Sequence, residues 1–152
     1  MAESRVGRAC RAIGIISPPN AAVLVVAAAA VTPGYDPVSR TISRLAVPGM
    51  PAAAAVDMAI VLVATTCFAL ALLLRRGASS GRIALVVAGI AFILSALIHL
   101  DPASTSATVL HRAASGVGVI GLTVAPLVLA RDYGPICSAI GAAEVVMLLA
   151  AL

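Results

Sequence analysis

The chain has 152 residues, of which 62% are hydrophobic and 11% charged, with a formal net charge of +4. A soluble domain carries about 45–50% apolar and about 25% charged residues, so the composition excludes an ordinary soluble domain, a disordered chain and a disulfide scaffold. The positive charge comes from arginines between apolar runs, and aromatics are only 3%, which excludes a nucleic-acid binder.

A membrane-spanning helix needs about 20 mostly apolar residues, and the composition accommodates four to five of them. The first apolar run is 13–31. Arg5, Arg8 and Arg11 precede it, as in a signal peptide, but the four further runs mark it as an uncleaved first span. Pro18 and Pro19 then fall in its first two turns, where proline is tolerated best.

The outer loop after it begins with Asp36-Pro37, a helix-start pair, and stops at Pro48-Gly49. The spacing predicts a short amphipathic helix over residues 37–46, with Val38, Ile42 and Leu45 on one face and Arg40 and Arg44 on the other. The remaining runs are 52–74, 83–100, 109–130 and 136–152. The last is short and has no polar tail, which raises the expectation of a further helix. Small residues Ala114, Gly118 and Gly121 share one face of the fourth run and predict close helix packing. Pro126 lies further along the same run.

Cytoplasmic loops carry the arginine excess. With the N-terminus inside, the inner segments hold Arg5, Arg8, Arg11, Arg75, Arg76, Arg82 and Arg131, and the outer ones Arg40, Arg44 and Arg112. The expected architecture is an all-α, multi-pass transmembrane bundle forming a single domain over 1–152, in the cell membrane with its N-terminus cytoplasmic.

The string Tyr35-Asp36-Pro37-Val38-Ser39-Arg40-Thr41-Ile42-Ser43-Arg44-Leu45, then Pro48-Gly49, is distinctive. So is the run ending in Asp101-Pro102 and followed by His111-Arg112-Ala113-Ala114-Ser115-Gly116. Together they resemble the bacterial and archaeal membrane family called Domain of Unknown Function 998. The resemblance implies a helical bundle, typically of six spans, with no established reaction. Arg44 stands where family members often have an acidic residue. Ile98-His99-Leu100 stands before Asp101, where they often have Phe-Pro.

Five polar residues are candidates for a ligand site. Asp57 lies about a turn and a half inside the second span, and Glu144 lies mid-way along the fifth. Ionisable groups at such depth face the bundle interior and have a partner, or carry function. Arg40, Arg44 and Arg112 are on the same outer side as Asp57; one of them is its expected ion-pair partner, and a titrating or ligand-binding carboxylate is the alternative. His99 and His111 flank a short loop, so their helices are expected to be antiparallel neighbours. Ser95 and Ser115 sit one turn deeper on each side. With Asp101 the histidines form a candidate three-ligand metal set, and alone they could flank a haem. The alternative is two interfacial histidines bonded to backbone or carboxylate.

Cys10, Cys67 and Cys137 form no CxxC pair and read as small hydrophobes. No hydrolase elbow, Walker loop or HExxH string is present, so the balance leans away from an enzyme and no cofactor is named. Three functions fit. The first is a non-enzymatic bundle binding a lipid headgroup or small amphiphile in an outward pocket through Arg40, Arg44, Arg112 and Asp57. The second is a metal- or haem-binding protein, or an accessory subunit of a redox complex, using His99 and His111. The third is a small proton-coupled transporter using Asp57 and Glu144. Membrane lipids are the expected partners, with other membrane subunits as an alternative.

Overall fold

The computed structural model describes residues 4–37, 40–74 and 77–150, with side chains to 146. It is all-α among those residues: α1 (Arg5–Val31), a 3-10 turn (Ile42–Ala46), α2 (Ala53–Leu73), α3 (Ser79–Leu97), α4 (Thr105–Tyr133) and α5 (Pro135–Ala150). Each helix packs on its neighbours in sequence: α1 on α2, α2 on α3, α3 on α4 and α4 on α5.

Four helices, α1 to α4, are long and apolar enough to cross a membrane. The fifth, Pro135–Ala150, is apolar too and shorter, at 16 residues. The expectation of five full crossings is therefore corrected to four long apolar helices and a shorter fifth.

Helices α1 and α4 start earlier than their apolar runs, at capping serines. Ser4 Oγ accepts from the Gly7 amide (3.1 Å) and opens α1 at Arg5. Pro18 and Pro19 consequently fall mid-helix, not in the first turns. Each removes one intrahelical donor, and in that turn the Asn20 side-chain amide donates to the Ile16 carbonyl (2.7 Å). Ser104 Oγ accepts from the Ala107 amide (3.3 Å) and opens α4 at Thr105. At the other end of α4, Gly134 takes φ +86°, a conformation that favours glycine, and Pro135 begins α5 at the position proline suits best.

The amphipathic helix expected over 37–46 is corrected too. Among the described residues of that segment only Ile42–Ala46 is helical, as a 3-10 turn too short to lie flat on a membrane as an amphipathic α-helix. Val38 and Ser39 lie outside the described residues. Leu45 and Ala46 are buried against Ala28, Ala52 and Val56, while Ile42 stays exposed. The turn thus packs between the C-terminal end of α1 and the N-terminal end of α2.

Packing inverts the soluble pattern. Alanine dominates the buried set, and large branched residues such as Leu72, Leu97 and Ile136 stay outside. Helices in lipid associate through close small-residue contact and not through hydrophobic burial. Gly118 and Gly121 on α4 meet α3 as their spacing predicts; a Cβ at Gly121 would lie 3.1 Å from both the Ala84 carbonyl oxygen and the Ala88 Cβ. Because backbone is one of those neighbours, Gly121→Leu is expected to cost about 1–3 kcal/mol or more, read as a lower thermal midpoint in detergent. Between α2 and α3, Arg82 donates from Nε to Ala71 O (3.1 Å) and from Nη2 to Leu74 O (2.6 Å). It thereby satisfies carbonyls that the end of α2 leaves without helical donors.

Candidate polar pocket at one end of the bundle

The end of the bundle carrying the 3-10 turn and the α3–α4 loop holds a polar pocket of about 660 Å³. One wall is Thr41, Ser43 and Arg44 from the 3-10 turn and its cap. The other is the α4 face carrying Thr108, His111, Arg112 and Ser115, at i, i+3, i+4 and i+7, with Thr105 above them. Leu100 and Pro102 close the loop side. No carboxylate lines the pocket, and no carboxylate among the described residues pairs with either guanidinium. The hydroxyls of Thr41, Ser43 and Thr105 likewise make no hydrogen bond among the described residues. Two cations and several spare donors therefore converge without a neutralising group, an arrangement that suits an anion.

His111 braces this pocket. It is only 1% exposed. Its Nδ1 lies 2.6 Å from the Ile98 carbonyl oxygen and 3.1 Å from that of Ser95, so Nδ1 carries a proton and donates to both. These are terminal carbonyls of α3, without helical donors of their own. On the other side Ser115 Oγ is 3.4 Å from Nε2, and Ser95 and Ser115 hydroxyls meet at 2.7 Å across the α3–α4 interface. With a neutral imidazole the order is fixed: Ser95 donates to Ser115, Ser115 to Nε2, and Nδ1 to the end of α3.

Asp57 finds a partner on another helix, but it is His99 and not an arginine: His99 Nε2 to Asp57 Oδ2 is 2.8 Å. The two side chains are 29% and 35% exposed respectively, so the contact is worth about 1 kcal/mol or less. Asp57 Oδ1 is buried without a hydrogen-bond partner. Leucine at Asp57 alone is expected to destabilise more than leucine at both Asp57 and His99, with a coupling of about 1 kcal/mol in a double-mutant cycle in detergent. Additive effects would show that the pair does not act as a unit.

Asp101 is occupied by the loop: its Oδ1 accepts from the Ala103 amide (2.9 Å) and its carbonyl from Thr108 Oγ1 (2.7 Å). His99 turns to α2, and His111 to the end of α3. Among the described residues no three His, Cys, Asp or Glu side chains converge as a metal requires, so the set His99, Asp101 and His111 is not assembled. The two histidines do not share the pocket either, since only His111 lines it. Their arrangement is that of interfacial histidines bonded to backbone and carboxylate.

Arg40 does not line the pocket. Its amide donates to Asp36 O (3.0 Å) and its carbonyl accepts from the Tyr35 hydroxyl (3.1 Å). Burial, and secondarily the Asp36 charge, push the Tyr35 phenol up from its ordinary pKa, which keeps it a donor. Glu144 on α5 buries Oε2 without a hydrogen-bond partner. Because α5 packs on α4 and α2 on α1 and α3, Glu144 and Asp57 belong to different interfaces. Of the five candidate ligand residues, the pocket thus gathers Arg44 and Arg112. It adds Thr41, Ser43, Thr105 and Thr108, whose hydroxyls are common in loops and gave no signal of their own.

Four long apolar helices, inverted packing and this pocket define a polytopic helical membrane protein. The chain belongs to the family described as protein of unknown function (DUF998), whose model matches residues 15–152. No curated protein and no solved structure matches it.

Proposed function

We propose that this membrane protein binds the anionic headgroup of a lipid or small amphiphile in the pocket between the 3-10 turn and α4. The observation that carries this reading is the convergence of Arg44 and Arg112, from separate elements, on a polar cavity that no carboxylate lines. Guanidinium groups bind phosphate and carboxylate through paired charge-assisted hydrogen bonds. Ser115 and His111 both line the pocket and face each other at 3.4 Å, but the Ser115 hydroxyl also meets Ser95 across the α3–α4 interface and His111 is held by the end of α3, so both serve the helix contact. Binding, not catalysis, is the chemistry it supports.

The pocket faces outward in the orientation that the arginine distribution favours, with seven arginines on the inner side and three on the outer. In a background without native cysteines, a cysteine at Ala103 is expected to react with an impermeant reagent in intact cells, and one at Ser79 is not. The reverse pattern would put the pocket on the cytoplasmic face. The binding reading is tested by titrating purified protein with short-chain phosphatidate and short-chain phosphatidylcholine. Saturable binding of the first, at least tenfold tighter than of the second, is expected; equal affinity would remove the role of the arginine pair.

A further inference from the structure

A second cavity, also of about 660 Å³, is almost wholly apolar. It lies between the middle of α1 (Pro18 to Val26) and the α2 face from Ala59 to Leu70, and its floor is Phe92 of α3 and Leu122 of α4. The 3-10 turn and its cap contribute lining to both cavities. Ile42 lines the apolar groove, while Thr41 and Ser43 on either side of it line the pocket. They also share a face of α4, because Leu122 follows Ser115 by seven residues, about two turns deeper.

We infer that the pair is one site for a single membrane lipid, with a phosphate headgroup between Arg44 and Arg112 and one hydrocarbon chain lying in the groove. The inference rests on the headgroup reading above and extends it to the rest of the ligand. Two features select this occupant. A charged, carboxylate-free pocket that shares the 3-10 turn and a face of α4 with an apolar trough matches an anionic amphiphile and not a uniformly apolar helix. The size agrees: along the rise of about 16 Å from Ala59 to Leu70, the volume corresponds to a cross-section of about 40 Å², roughly half that of a helix 10 Å wide. Since lipid tails are as apolar as the groove, the chain is held there by packing and by the anchored headgroup, not by a hydrophobic gain. The observable signature is therefore where the chain lies, more than how tightly the lipid binds.

The test uses the full chain in nanodiscs containing phosphatidate with a photoreactive carbene precursor at mid-chain. Labelling is expected to concentrate on the groove walls, around Ala22 to Val26 and Ala59 to Val63. It should be at least threefold above labelling of the opposite α3–α4 face around Ile90 and Val117. Ala22→Trp, at an exposed groove position, is expected to reduce groove labelling at least threefold, while Val23→Trp, which does not line the groove, is not. Arg44→Gln with Arg112→Gln should spread the label evenly. Phosphatidate retained through purification, with even labelling of all lipid-facing helices, would overturn the groove inference and leave the headgroup reading standing. Even labelling with no retained phosphatidate would overturn both. A disulfide between two chains carrying cysteine at Ala22 would assign the groove to a second copy and also overturn the inference.

Discussion

Replacing both Arg44 and Arg112 with glutamine is expected to weaken phosphatidate binding about a hundredfold, and either change alone about tenfold. A hydrogen bond to a charged group contributes about 1.5–3 kcal/mol, and 1.4 kcal/mol is tenfold in affinity. Both arginines are exposed at the pocket rim, so the lower end of that range applies. Glutamine is shorter but keeps an amide donor and removes the charge, and at these exposed positions the change is expected to leave folding intact. Titration of the purified variants with short-chain phosphatidate reads the effect, and the wild-type affinity should fall with added salt as the guanidiniums are screened. Arg40→Gln serves as the internal comparison, because Arg40 does not line the pocket. A loss at Arg40 as large as at Arg112 would show a diffuse surface charge effect in place of a site.

The second large effect is expected at His111. Leucine there fills similar space but strips the donor from the Ile98 and Ser95 carbonyls. A buried polar group left without a partner costs about 1–3 kcal/mol, and Ser115 loses its Nε2 acceptor as well. His111→Leu should therefore lower the thermal midpoint in detergent clearly, whereas His111→Gln, which retains a donor, recovers part of the loss. A fully stable His111→Leu variant would mean that the imidazole does not brace the end of α3. Because the ring is a wall of the pocket, phosphatidate binding should weaken in step with the loss of stability.

The class of the protein was legible from composition, because no soluble fold leaves so few charges on so many apolar residues. The helix order and the Gly118–Gly121 face were legible too, since both follow from local spacing. Boundaries were less so. Ser4 and Ser104 extend α1 and α4 into polar sequence by capping, which a search for apolar runs passes over. The segment after Asp36-Pro37 had a helical period, yet burial of Leu45 and Ala46 against α1 and α2 yields a tight 3-10 turn. For Asp57, the cost of an isolated carboxylate pointed correctly to an inter-helix partner, but the choice between arginine and His99 depended on helix packing. The pocket was half legible: arginines beside apolar runs stand out, while threonines and serines just outside those runs acquire meaning only when two elements bring them together.

In the proposed function, Arg44 and Arg112 hold the headgroup of a membrane lipid. Native mass spectrometry of the protein released from nanodiscs made of equal parts phosphatidate and phosphatidylcholine addresses it directly. One phosphatidate retained per chain is expected, and its loss from the protein carrying Arg44→Gln and Arg112→Gln. Release without lipid, or equal retention of both lipids by wild type and variant, would contradict it.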